Sequence, residues 1–403
     1  MEKKTNNAAP GVEVEGLSGV QTLIVAAAAG LSVANIYYAQ PLLDLMAHDL
    51  GIPAATVGLI VMVTQVGYCL GLIFIVPIGD LIDRRKLIIA QGLLLGIALV
   101  TVGTAGTSAM LLAGMGAVGL SAVLVQTLVA QAAALATPAQ RGRVVGMVTS
   151  GIVTGILAAR SFSGAIADIG GWRAVYLISA FIALVMVIVL MSMLPRQYAK
   201  QNMETYTHAL LSIPTMFLRE RSLLYRGVLA LLIFAAFSTF WTALVLPLSA
   251  PPFSYSHTRI GLFGLVGLAG AIAATCAGRL ADRGHGRWTT GFSLAILLSS
   301  WGLIALLPVS MMLLLVGVVL MDLAVQAVHV TNLSAIVAFN PQKSGRLIGG
   351  YMVFYSVGSA VGAIAATTIY SRFGWMGISL VGAAFSAIAL ALWIKSEISE
   401  RTN

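Results

Sequence analysis

Long apolar runs, separated by short polar gaps, follow one another almost from end to end of the chain. A helix needs about 20 apolar residues to cross the hydrocarbon of a bilayer. The pattern predicts twelve such helices, at 18–41, 55–78, 87–107, 110–136, 143–167, 173–194, 225–248, 258–278, 289–308, 311–338, 347–370 and 375–394. The runs are continuous rather than alternating, so barrel strands are not expected. The expected fold class is an all-α membrane protein.

Composition agrees with the pattern. Hydrophobic residues make up 59% and charged residues 9% of the 403, whereas a soluble chain carries about a quarter charged residues. The net charge of +9 is explained by topology. With a cytoplasmic N-terminus, Arg84, Arg85, Lys86, Arg141, Arg143, Arg196, Lys200, Arg219, Arg221, Arg226, Arg279, Arg283, Arg287, Lys343, Arg346, Lys395 and Arg401 fall inside, and only Arg173, Arg259 and Arg372 fall outside, as the positive-inside rule requires. Both termini are then cytoplasmic and the expected site is the inner membrane of a bacterium. The basic charge gives no reason to invoke nucleic acid. "MEKKTNNAAPGVEVEG" lacks the short apolar core and cleavage site of a signal peptide, so the first helix is expected to be retained.

The chain repeats itself. "GDLIDR" at 79–84 returns as "GRLADR" at 278–283, "GRVVG" at 142–146 as "GRLIG" at 345–349, and Gly171–Trp172 as Gly374–Trp375. A repeated unit of this kind is one structural module used twice. Residues 1–17 are expected to form a cytoplasmic tail, 18–194 a six-helix bundle, 195–224 a cytoplasmic linker, 225–394 a second six-helix bundle and 395–403 a second tail.

Two parallel six-helix repeats around a central loop resemble the major facilitator superfamily of secondary transporters. The turn Gly79, Asp83 and Arg84, repeated as Gly278, Asp282 and Arg283, looks like that superfamily's loop motif. "NIYYAQPLL" and "DLAVQAVHVTN" further resemble its bacterial branch of drug, sugar and nucleoside exporters, many of them proton antiporters. The resemblance implies a transporter with a cytoplasmic gate. The carboxylates of the turn can accept bonds from helix-start amides, and the arginines can pair with groups of the other bundle.

Ionisable groups at mid-depth are costly and usually functional. Asp322 lies near the middle of the tenth helix, and Arg160 lies about 27 Å into the fifth. Asp322, Gln326 and His329 share a helical face with Asn332 beside it, and Gln126 takes the place of His329 in the first copy. Asp322 is the candidate proton carrier and His329 a candidate relay, since imidazole titrates near neutrality. The alternative is a permanent Arg160–Asp322 ion pair. In the first helix Tyr37, Gln40 and Asp44 share one face and Asn35 and Tyr38 another. With Trp241 of the aromatic seventh helix, these residues suit an amphipathic organic substrate. Pro41 and Pro247 occupy comparable places where a missing amide allows a bend.

Other classes find less support. There is no GxxxxGK[ST] phosphate loop. His48, His208, His257, His285 and His329 are scattered without metal-ligand spacing. Cys69 and Cys276 lie within apolar runs and suggest packing. No enzymatic activity, cofactor or metal is expected. The expected partners are a small-molecule substrate, protons and the lipid bilayer, with the protein acting as a monomer. Proton-coupled efflux is the favoured function, with uptake by symport or facilitation, or a membrane sensor, as alternatives.

Overall fold

The computed structural model describes residues 16–137, 139–195, 206–267, 276–339 and 344–402, and among them there are helices and turns but no strand. The expected tail 1–17 is described only from residue 16, and residues 196–205 of the linker and 268–275 of the eighth expected span lie outside the described set. Helices follow the order of the apolar runs. Among the described residues seven are long and apolar enough to cross a membrane, including Leu59–Gly79, Arg84–Gly103, Arg221–Ser249 and Met311–Phe339.

Local chemistry sets where these helices begin and break. Gly19–Ala34 starts at a capping box in which Ser18 and Gln21 satisfy each other's backbone amides. The helices Ser108–Ala122 and His257–Val266 start on Thr107 and Ser256, whose hydroxyls accept from Met110 N and Arg259 N. The expected span 18–41 is not one helix. It stops at Ala34, passes through turns into the 3₁₀ segment Gln40–Leu42 and resumes as Leu43–Leu50, and Pro41, which offers no amide to a helical ladder, lies inside the break. Pro247 lies in the matching short helix Val245–Ser249, just after Arg221–Ala243 ends.

The two longest helical stretches, Arg141–Met193 and Ser344–Thr402, each reverse at one glycine. Gly171 has φ 74° and Gly374 has φ 61°, a region that L side chains rarely adopt. The tryptophan after each glycine anchors the turn: Trp172 Nε1 donates to Asp49 Oδ2 at 3.1 Å and Trp375 Nε1 to the Ile304 carbonyl at 2.8 Å. The repeated Gly–Trp pair is therefore a repeated corner.

Burial separates central from peripheral helices. The most apolar window of Arg221–Ser249 is 89% buried and that of Gly345–Ile398 is 33% buried. Exposed apolar side chains such as Ile97, Phe181, Ile188, Phe292 and Leu380 form a surface suited to lipid tails rather than water.

Small residues let helix backbones touch. Gly30 meets the backbone at Gly151 and Gly155, and Gly358 and Gly362 meet Leu231 and Ala235, so a Cβ at any of these positions would collide. The same device joins the copies: Gly164 lies against the backbone of His257, Gly261 against that of Arg160, and Gly58 against Ala363. Gly58 N also donates to Thr367 Oγ1 at 3.2 Å, and that hydroxyl donates to the Ala55 carbonyl at 3.1 Å. All these bridges lie towards the end of the bundle that carries Asp44 and Asp168. Towards the other end Ser150 and Thr154 of Arg141–Met193 are exposed.

Candidate functional site

At mid-depth, where the helices of the two copies meet, Arg160 and Asp322 are both buried, at 3% and 4% exposure. Arg160 Nε donates to Gln40 Oε1 at 2.8 Å. Its guanidinium lies 3.9 Å from the centre of the Trp241 ring and 5.2 Å from that of Tyr37. Desolvated cation–π contacts of this kind contribute about 2 kcal/mol. The charges of Arg160 and Asp322 interact, yet no ion pair joins them. Arg160 Nη2, Asp322 Oδ1 and Trp241 Nε1 are all buried without a hydrogen-bond partner. Such groups are expensive in a low dielectric, and they are the groups best placed to bind something further.

Hydroxyls and aromatic rings extend the cluster along the second copy. The Tyr37 and Tyr355 hydroxyls hydrogen-bond each other across the copies. The Tyr355 ring packs 4.0 Å from Phe234, which meets His329 edge-on at 5.3 Å. His329 Nδ1 lies 3.0 Å from the Tyr351 hydroxyl. Gln326 is half-buried between Asp322 and His329 on the same helix. Asn332 accepts from Arg226 Nη1 at 3.2 Å through its Oδ1. Gln126 donates to the Tyr68 hydroxyl at 3.2 Å. A cavity of about 450 Å³ opens nearby in the second copy, lined among others by Arg226, Arg287, Thr331 and Trp393.

The two faces of the first helix part company. Tyr37, Gln40 and Asp44 point at Arg160, Tyr355 and the second copy. Tyr38 and Asn35 turn into the first copy, where the Tyr38 ring packs 5.5 Å from Phe162 and 6.5 Å from Tyr176. Asn35 donates to the Leu31 carbonyl at 2.7 Å and lines a void of about 10 Å³, room for one water. The structure therefore does not bring Asn35 and Tyr38 to the Arg160 cluster.

At the repeated turn, Asp83 caps the helix that follows it, Oδ1 accepting from Arg85 N at 2.9 Å. Arg84 Nε donates to the Gly79 carbonyl at 3.0 Å and Arg85 Nη2 to the Met191 carbonyl at 2.6 Å. These bonds stay within the first copy. In the second turn Gly284 takes a positive φ of 82° and Arg283 is exposed. The side chain of Asp282 lies outside the described residues.

One group of bridging residues is absent from the sequence-based candidates. His257 Nε2 lies 3.0 Å from both carboxylate oxygens of Asp44, and Nδ1 lies 3.3 Å from Asp168 Oδ1. Burial alone would lower the imidazole's affinity for a proton, but the two carboxylates outweigh it and hold the His257 value above the ordinary one. Nearby, hydrogen bonds from Arg173 and Trp172 hold the Asp49 carboxyl below its usual range. The sequence shows His257 only as one of five scattered histidines. The available signal was Asp44, on the same helical face as Tyr37 and Gln40.

The sequence profile of the Major Facilitator Superfamily matches residues 22–343 and again 227–403. YgaY, an uncharacterized transporter of Escherichia coli, is 40% identical over 377 residues, covering 94% of this chain and 95% of its own. The chain belongs to the Major Facilitator Superfamily and is a multi-pass bacterial membrane transporter. Among solved structures, a bacterial homologue of the human lysosomal transporter Spinster superposes with a TM-score of 0.77 at 15% identity, over 92% of this chain and 95% of that one. The human organic anion transporter MFSD10 superposes with a TM-score of 0.67 at 18% identity, over 94% and 100%.

Proposed function

We propose that this transporter couples proton movement to the efflux of small organic molecules by alternating access, in the inner membrane and with both termini cytoplasmic. The two six-helix copies, 18–194 and 225–394, are the moving parts. The observation that carries the reading is the pair of buried, opposite charges at Arg160 and Asp322 between the copies, with Arg160 Nη2 and Asp322 Oδ1 left without hydrogen-bond partners.

Asp322 takes up a proton when the site faces outward. Neutralised, it loses its attraction for Arg160 and for a cationic substrate, which favours return to the inward-facing state. The substrate then displaces that proton on the inner side. Arg160 is held by Gln40, Tyr37 and Trp241, so it stays in place while the charge opposite it changes. Tyr37, Tyr355 and His329 offer a route for proton exchange and, with Trp241, Gln326, Asn332 and Gln126, groups for an amphipathic substrate. The turns at Gly79–Arg84 and Gly278–Arg283 act as the cytoplasmic gate, and at the first of them the Asp83 cap stiffens the helix start.

The test is substrate flux in proteoliposomes with and without an imposed pH gradient. Export driven by a proton gradient and lost in Asp322→Asn supports the reading. Flux indifferent to the gradient points instead to a facilitator, and accumulation in the direction of the proton gradient points to a symporter.

A further inference from the structure

We propose that His257, Asp44 and Asp168 form a second proton-binding site, distinct from Asp322, that latches this end of the transporter shut when it is occupied and releases its proton when the end opens. The inference rests on the alternating-access reading.

The geometry demands the proton. Nε2 faces both oxygens of Asp44 at 3.0 Å and Nδ1 faces Asp168 at 3.3 Å. A neutral imidazole has one N–H and one lone pair, so one nitrogen would turn its lone pair on a carboxylate. Only the imidazolium donates to both. The three side chains are partly shielded, at 14%, 24% and 27% exposure, so the attraction is less screened than at an open surface.

The bonded groups come from both copies. Asp44 belongs to Leu43–Leu50 and Asp168 to Arg141–Met193, whereas His257 begins the helix His257–Val266. Asp168 also caps that helix, accepting from His257 N at 3.0 Å, Thr258 N at 2.8 Å and Thr258 Oγ1 at 2.6 Å. Ser161 Oγ donates to the Gly261 carbonyl at 3.0 Å one turn on. Opening this end must separate the carboxylates from the ring. The ring then returns to the ordinary imidazole value of about 6.5 and loses its proton to neutral solution.

Other charges leave the ring to these two. His257–Val266 packs against Arg141–Met193, Met311–Phe339, Gln40–Leu42 and Val245–Ser249. On these, Arg160 and Asp322 lie deeper in the cluster described above, and Arg173 is engaged by Asp49 and the Ala105 carbonyl. Gln40–Leu42 and Val245–Ser249 carry no charged residue. His48 is exposed, and Arg259, on the same helix as His257, lies over the Tyr255 ring at 5.8 Å.

The sign follows from linkage. Closure raises the proton affinity of His257, so its contribution to closure is complete below the ordinary imidazole value and is lost as pH rises through the raised one. The closed-to-open ratio changes by about tenfold for each unit by which closure raises that value. The proton is taken from and returned to the same side, so it regulates the cycle without being transported.

The experiment places spin labels at Gly106→Cys and Val309→Cys, one on each copy at this end, in a background carrying Cys69→Ser and Cys276→Ser. Interlabel distances are measured in detergent from about pH 5.5 to about pH 8.5, across the imidazole range; both faces then see one pH. A short distance that dominates at low pH and yields to a longer one at high pH, with its gain at low pH reduced in His257→Gln and kept in the exposed-histidine control His48→Gln, is the expected result. A pH-independent distance, or a response in His257→Gln equal to that of the unsubstituted protein, overturns the proposal. In unsubstituted protein, ring ¹⁵N shifts of His257 provide a second check: a neutral ring while the short distance dominates would equally overturn it. The difference between His257→Gln and unsubstituted protein at one pH, and the ring shifts of His257, report on this site whatever Asp322 contributes to the total response.

Discussion

The guanidinium of Arg160 sits 3.9 Å from the centre of the Trp241 indole ring while its Nε is bonded to Gln40, so a charge from the first copy is held by a ring of the second. Asp322, on another helix of the second copy, is within electrostatic range of Arg160, and its Oδ1 has no hydrogen-bond partner. A charge fixed by groups other than its counter-ion can stay put while the counter-ion changes protonation.

Asp322→Asn mimics the protonated carboxyl and cannot release a proton. It is expected to abolish gradient-driven accumulation in proteoliposomes while sparing substrate binding or downhill exchange. Accumulation at the unsubstituted rate would remove Asp322 from the coupling role. His329→Gln, which keeps a polar group beside Tyr351, should give a milder defect.

Arg160→Lys keeps the charge and loses the planar contact with Trp241 and the directed bond to Gln40. The cation–π and charged hydrogen-bond contributions lost are about 2 kcal/mol each. Thermal unfolding in detergent should therefore begin several degrees lower, and Trp241→Phe should lower it less, because a weaker ring remains under the guanidinium. An unchanged unfolding temperature in Arg160→Lys would show that the stack contributes nothing.

Asp83 serves as a helix cap, which separates two roles that a single alanine substitution would confuse. Asn caps about as well as Asp, whereas Ala costs about 1 kcal/mol. Asp83→Asn should keep stability and insertion but slow transport if the charge closes the gate. Full transport rates in Asp83→Asn, with a loss of stability only in Asp83→Ala, would reduce Asp83 to a cap.

Gly261 lies against the backbone of Arg160, where any Cβ must displace the facing helix. Gly261→Leu is expected to prevent close approach at the His257 end, leaving cysteines introduced there permanently accessible to impermeant thiol reagents and transport at background level. Normal flux from Gly261→Leu would show that this contact is not needed for closure.

Topology can be checked independently. A cysteine at Gly106 should react with an impermeant reagent added to intact cells, and one at Glu220 only after the membrane is opened. The reverse pattern would invert the orientation and, with it, the direction assigned to the gates.

The amino-acid sequence by itself determined the membrane class, the order of the helices and where they bend, because apolar run length, proline and glycine act over a few residues. Pro41 lies inside the break of the first span, and Gly171 and Gly374 turn the corners where the repeat placed them. Mid-depth charge was equally visible in Asp322 and Arg160, since an ionisable residue inside a long apolar run needs no partner to be conspicuous. Which groups meet was decided only by the packing of the two copies. Tyr37 and Tyr355 bond across 318 positions of sequence, and helical periodicity says which residues share a face but not what that face meets. That is why Tyr38, beside Tyr37 in the chain, faces Phe162 and Tyr176 instead, and why His257, unremarkable in sequence, becomes the residue gripped by two carboxylates of the other copy.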